Sequence, residues 1–99
     1  SYTVMQVNEF SHWLRSLRDP TTRLRLTNRL RKVQFGNLGD VAPVGGGVIH
    51  EMREHFGPCW RMYYVRRSRT AIWMLGGGEK CTQQADILRA IQVATQLEE

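Results

Sequence analysis

Lysine is scarce in this chain, cysteine and histidine are few, and no long apolar run occurs. Each shortage removes a class of protein. Two cysteines, Cys59 and Cys81, build no disulfide framework, and together with His12, His50 and His55 they match no metal-ligand spacing. Reduced thiols, no metal and no cofactor are therefore expected. No segment approaches the ~18–20 apolar residues that a membrane span needs, and the opening Ser1-Tyr2-Thr3-Val4 has neither a charged nor an apolar leader. These two absences predict a cytoplasmic protein with no membrane partner. Repeats and long linkers are missing too, so residues 1–99 read as one domain. With 41% hydrophobic and 23% charged residues, a disordered tail and a collagen-like chain are excluded. A domain this short hides only ~60–65% of its unfolded surface, so a partner is expected to supply part of its stability.

What the chain does have is arginine. It supplies twelve of the 14 basic side chains, leaving only Lys32 and Lys80, and the formal net charge is +5. Guanidinium is planar, always charged and forks onto phosphate through two hydrogen bonds. The excess points to a polyanion, nucleic acid before membrane; a soluble basic surface with no polyanion is the plainer alternative.

Periodicity predicts the elements. Tyr2–Val7 alternates as a strand. Asn8 is placed to cap a helix carrying Phe10, Trp13, Leu14 and Leu17. Asp19-Pro20 restarts a second helix as cap and first position. Leu24, Leu30 and Val33 fall on one side of it, Arg23, Arg25, Arg29, Arg31 and Lys32 occupy much of the rest, and Gly36 stops it. Gly36 to Gly47 reads as a loop. Strands follow at Val48–Glu54, Trp60–Arg66 and Thr70–Leu75, and Gly76-Gly77-Gly78 is expected to break the sheet. Thr82 is placed to cap a last helix with Ile87, Leu88, Ile91, Ala94 and Leu97 at helical spacing. The order β-α-α-β-β-β-α is α+β, with helices expected on one sheet face and the other face open to water or a partner.

Residues two apart on a strand share a face. Trp60, Met62 and Tyr64 are assigned to the core, with Val48, His50 and Met52 of the preceding strand. The open face then carries Glu51, Arg53, Arg61 and Tyr63, with Lys80 just beyond the glycines. Such a set suits phosphodiester chemistry: cations hold the phosphate as charge builds, an aromatic stacks on or orients a base, and a carboxylate takes a 2′-hydroxyl proton. Without a metal motif, attack by the RNA's own 2′-hydroxyl is the plausible route. The bland alternative is an exposed Glu51–Arg61 or Glu51–Arg53 ion pair worth under ~1 kcal/mol. The arginines of the second helix likewise read either as an RNA or ribosome contact or as a solvated face.

An ordered series of short motifs runs from Phe10 to about Ala90: Phe10-x-x-Trp13-Leu14-x-x-Leu17-x-Asp19, Gly36-Asn37-Leu38-Gly39-Asp40, Gly47-Val48-x-x-Glu51-Met52-Arg53, Gly57-Pro58-x-x-Arg61-x-Tyr63-Tyr64 and Gly77-Gly78-Glu79-Lys80-x-Thr82-Gln83. The series resembles the RelE/ParE superfamily of bacterial toxins, in its HigB-like addiction module killer protein branch. The resemblance implies a helical hairpin packed on a twisted antiparallel sheet. It also implies a bacterial cytoplasmic toxin of a type II toxin–antitoxin system: a metal-independent, ribosome-dependent mRNA endonuclease that inhibits translation. Its partners would be the ribosome and mRNA, a cognate helix-turn-helix antitoxin, and operator DNA through that antitoxin. Arg61 matches the family's sheet arginine, assigned to phosphate and transition-state contact. Arg53 matches a second-strand basic position, Lys80 the basic residue after the last strand, and Glu51 the family's Glu-x-Arg pair; Tyr63 is the aromatic of the set. The family usually has Gly where Cys59 stands, Tyr where Trp60 stands, and Asp and Ser in place of Glu79 and Cys81. Two other readings stay open: a ParE-like inhibitor of DNA gyrase, and a weakened toxin whose remaining work is to bind antitoxin and operator.

Overall fold

The computed structural model describes residues 1–97. The elements are β1 (Thr3–Gln6), α1 (Asn8–Ser16), α2 (Pro20–Gln34), β2 (Val41–Val44), β3 (Ile49–Arg53), β4 (Arg61–Arg66), β5 (Ala71–Gly78) and α3 (Gln83–Thr95). One five-stranded sheet has the order β1-β5-β4-β3-β2. β1 runs parallel to β5 and every other pairing is antiparallel. The fold is α+β, with one strand more than the sequence predicts.

Local chemistry explains the helix boundaries. Asp19 accepts from the Thr21 N–H at 3.2 Å and from the Thr22 hydroxyl at 3.0 Å, with Pro20 in the first turn. At the far end Gly36 (φ 98°) reverses the chain: its N–H donates to the Val33 carbonyl and that of Asn37 to the Lys32 carbonyl. This is a Schellman ending, which needs a left-handed residue. Asn8 does not cap α1. It is the first helical residue, and Val7 holds the cap position without a side-chain bond. Thr82 stands at the cap position of α3, but its hydroxyl donates to Asp86 Oδ2 at 2.6 Å instead of accepting a backbone N–H.

Two strand predictions are corrected. The expected loop contains β2, a four-residue edge strand whose Val-Ala-Pro-Val sequence has no alternation; Pro43 is tolerated there because an edge strand leaves some N–H positions unpaired. The glycine run extends the sheet instead of breaking it, and β5 reaches Gly78. A Cβ on Gly77 would lie 2.4 Å from the Trp13 ring, and one on Gly78 would lie 1.9 Å from Asp86 Oδ2. The glycines are therefore sites of close approach. Leu75 is an extra residue, because Tyr63 pairs with Gly76 and Tyr64 with Met74.

The largest correction concerns the open face. α1 and α2 cover one side, where Phe10, Leu26, Leu30 and Val33 meet Met52, Met62, Tyr64, Ile72 and Met74. α3 covers the other, packing Ala90, Val93 and Ala94 on Ile49, Tyr63 and Leu75. Each fully buried side chain of Leu, Ile, Phe or Met size contributes about 1.5–3 kcal/mol, so neither face is left wet. Val48, expected in the core, lies before β3 and is exposed, as is Leu88 on the outer side of α3. His50 is half-buried and stacks on Tyr64, ring centres 5.5 Å apart.

Gly77→Ala is expected to lower stability by about 1–3 kcal/mol, because the added methyl displaces Trp13 and with it the Phe10 and Trp60 rings that contact it. A shifted midpoint in urea unfolding checks this; an unchanged midpoint would mean that the α1–sheet contact is loose.

Candidate functional site

β3 and β4 place four predicted site residues in a block. Glu51 stands opposite Tyr63 and Arg53 opposite Arg61, so the alternation groups them on one face as expected. That face is not solvent-facing. Glu51, Arg61 and Tyr63 are 3%, 6% and 0% exposed: Ala90, Val93 and Ala94 of α3 pack with Tyr63, Gln83 at the start of α3 reaches Glu51, and Arg61 is held by carbonyls of the turn between β3 and β4. Gly76 and Gly78, the β5 partners of Tyr63 and Arg61, contribute no side chains to this face.

The buried block is only partly satisfied. Arg61 Nη1 donates to the carbonyls of Glu54, Cys59 and Trp60, each at 3.2 Å. Its Nε lies 3.9 Å from Glu51 Oε1 and makes no hydrogen bond. Gln83 Nε2 donates to Glu51 Oε1 at 2.8 Å, latching α3 to β3. The Tyr63 hydroxyl is buried and has no partner. Burial raises its pKa far above the usual phenol value, the Glu51 and Asp86 charges add to the shift, and Arg61 opposes it. Tyr63 therefore remains a phenol, a proton donor and not a base. The turn that supplies the Arg61 acceptors holds Cys59 at φ 61°, a left-handed conformation that glycine adopts more readily.

Arg53 is engaged elsewhere. Its Nε and Nη2 donate to Asp40 Oδ1 at 3.2 and 2.6 Å, while Asp40 Oδ2 meets His55 Nε2 at 2.8 Å. These two partners, with Arg53 the stronger influence, pull the Asp40 pKa down to about 2. Lys80 is exposed, and its backbone N–H donates to the Pro58 carbonyl at 3.3 Å, tying the connection between β5 and α3 to the β3–β4 turn. Sequence reasoning missed Gln83, Asp86, Asp40 and His55; only their positions in three dimensions reveal their partners.

The five cations of α2 divide into two kinds. Arg29 faces inward: it donates to the carbonyls of Leu38, Asp40 and Arg53 and pairs with Glu54. Arg23 donates to the Leu17 carbonyl across the α1–α2 corner. These two, expected at a nucleic-acid surface, are bonded within the fold. Arg25, Arg31 and Lys32 are exposed. Among the described residues no group of three or more His, Cys, Asp or Glu side chains gathers to hold a metal ion, and no helix is long and apolar enough to cross a membrane.

Two outcomes test this geometry. Tyr63→Phe is expected to leave stability unchanged or raise it by up to about 1 kcal/mol, since it removes a buried hydroxyl without a partner; a clear loss in urea unfolding would reveal an acceptor. Asp40 has its pKa lowered from 3.8 to about 2, so its contribution is full above about pH 4 and fades as pH falls toward 2. The stability gap between wild type and Asp40→Asn should close over that interval. A gap independent of pH would remove the Arg53 and His55 contacts as its source.

No protein-family model matches the chain, and no solved structure matches it. A protein of Haemophilus influenzae, described as uncharacterized, is 33% identical over 88 residues, covering 89% of this chain and 88% of the relative. At that identity and coverage the chain belongs to the family of this Haemophilus influenzae protein.

Proposed function

We propose that the chain is the toxin of a type II toxin–antitoxin pair of the RelE/ParE kind, and that it stops translation by cutting mRNA on the ribosome. The observation that carries the reading is the Glu51–Arg61–Tyr63 block, with Arg61 Nε and the Tyr63 hydroxyl buried and unpartnered. In a domain of 99 residues such groups cost stability, and well-packed apolar replacements are often neutral or better. Polar groups retained at that cost are candidates for chemistry. The motif series around Arg61 supports the same assignment.

The chemistry follows from what each group can carry. A scissile phosphate seated on Arg61 gives its Nε the missing acceptor and its charge a counter-ion. Glu51 takes the proton of the 2′-hydroxyl as the 2′-oxygen bonds to phosphorus. The P–O5′ bond breaks, and the leaving oxygen receives a proton from Lys80 or from Tyr63, whose phenol stays protonated. Arg53 adds positive charge beside Arg61 once it leaves Asp40. RNA reaches this set only if the N-terminal end of α3 lifts, which breaks the Gln83–Glu51 bond. The ribosome and mRNA are then the working partners. A helix-turn-helix antitoxin neutralises the toxin and brings it to operator DNA. The covered state of Arg61 favours a second reading, a weakened toxin that mainly binds its antitoxin.

Induced expression with a translation readout and mapped mRNA ends tests the proposal. Wild type is expected to create new ends in ribosome-bound mRNA. Lys80→Ala, at an exposed position, should fold normally and cut about a hundredfold less; Arg61→Lys, which keeps the charge and loses the fork, should do the same. Intact mRNA in cells arrested by the wild type would overturn the nuclease reading, and cleaved DNA in those cells would turn it toward gyrase.

A further inference from the structure

A groove of about 440 Å³ lies between the C-terminal half of α2 and Glu54, beyond the end of β3. Arg25, Arg31 and Lys32 rim it, with Asn28 on its wall. Its one apolar lining residue is Phe35, at the end of α2, with 82% of its surface exposed. Glu54 is the groove's one carboxylate, and it is already neutralised by Arg29. We infer that this groove docks single-stranded RNA, with one unpaired base stacked on Phe35 and the adjoining phosphates held by Arg25, Arg31 and Lys32.

Three features favour that occupant. An exposed flat ring among cations is a stacking platform for an unpaired base, since every base has a π-face and a paired one is not available. Arg25 already lies with its guanidinium carbon 3.7 Å from the centre of the Phe56 ring. This fixes the plane of the group and leaves its edge N–H donors to fork onto a phosphate. The helix itself offers no help to an anion here, because the carbonyl end of α2 carries partial negative charge; the side chains must hold the phosphates. A protein partner would need an apolar anchor cluster, and the centre of a stable protein interface is poor in charge. The groove has the reverse composition.

The groove also shares a residue with the turn that holds Arg61. The Glu54 side chain lines it while the Glu54 carbonyl accepts from Arg61 Nη1. A strand seated on Phe35 is thus held beside the Arg61 turn. The inference rests on the reading of RNA as the target, and it assigns a docking role to residues that take no part in the cutting step.

Anisotropy of a fluorescein-labelled oligouridylate of about eight nucleotides, titrated with the full chain, tests it. Phe35→Ala is expected to weaken binding about fivefold to thirtyfold and Phe35→Trp to restore it. Joint replacement of Arg31 and Lys32 by Gln should lower the slope of log affinity against log salt by about 1.4, against little change for Arg15 and Arg18 replaced together. RNA affinity independent of Phe35 overturns the inference. So does tighter Phe35-dependent binding of a poly-glutamate peptide, duplex RNA or the matching deoxyoligonucleotide. Phe35-dependent binding by a protein that cuts no ribosomal mRNA would sink the nuclease reading alone. Cutting by a protein whose RNA affinity ignores Phe35 would sink the docking groove alone.

Discussion

A five-stranded sheet has two faces to hide, and this chain has two helices for one of them and a single thirteen-residue helix for the other. That shortage organises the molecule. α3 can seal Ile49, Tyr63 and Leu75 with Ala90, Val93 and Ala94, but at its N-terminal end it runs over polar residues. Gln83 and Asp86 are polar because what they cover is polar: Glu51 under one and the backbone of Gly78 against the other. The boundary between the apolar and polar parts of this layer falls within the first two turns of α3. Beyond it, burial is maintained by hydrogen bonds and not by the hydrophobic effect, so this end of the helix is held less strongly than the other.

Arginine does two jobs in this protein. Arg29 is a structural cross-link: one guanidinium joins α2 to the 38–40 segment and to the end of β3, and its planar fork reaches several acceptors at once where lysine has only a point charge. Arg89 does related work at the surface, forking onto both oxygens of Glu9 and joining α3 to α1 across the end of the sheet. Arg25, Arg31 and Lys32 stay outside. Net charge therefore overstates the positive surface, since part of it is used to assemble the fold.

Much of the local structure was legible. Alternation on β4 correctly separated Met62 and Tyr64 from Arg61 and Tyr63, because a strand's period of two survives any packing. The Asp19-Pro20 start and the Gly36 stop of α2 were equally readable, since each is decided by neighbouring residues alone. The position of α3 was not. Ile87, Ile91 and Leu97 showed that the helix had an apolar side, but not which surface would receive it, and the placement of Arg61 under water or under a helix turns on that. β2 was hidden by its shortness and by Pro43. The glycines of β5 were misread because a missing side chain looks the same in sequence whether it frees the backbone to bend or makes room for Trp13. The partners of Arg29 and Arg53 lie on distant segments, so no local pattern records them.

The parallel pairing of β1 with β5 has a consequence for how the molecule comes into being. Thr3 hydrogen-bonds beside Ala71 and Gln6 beside Met74, so the earliest-made strand has no place to settle until the last one has been synthesised. While the chain is still emerging, β1 is an unpaired edge and the layer beneath α3 does not exist. The finished sheet, and any activity built on its buried face, can appear only after the chain through β5 and α3 has left the ribosome that makes it.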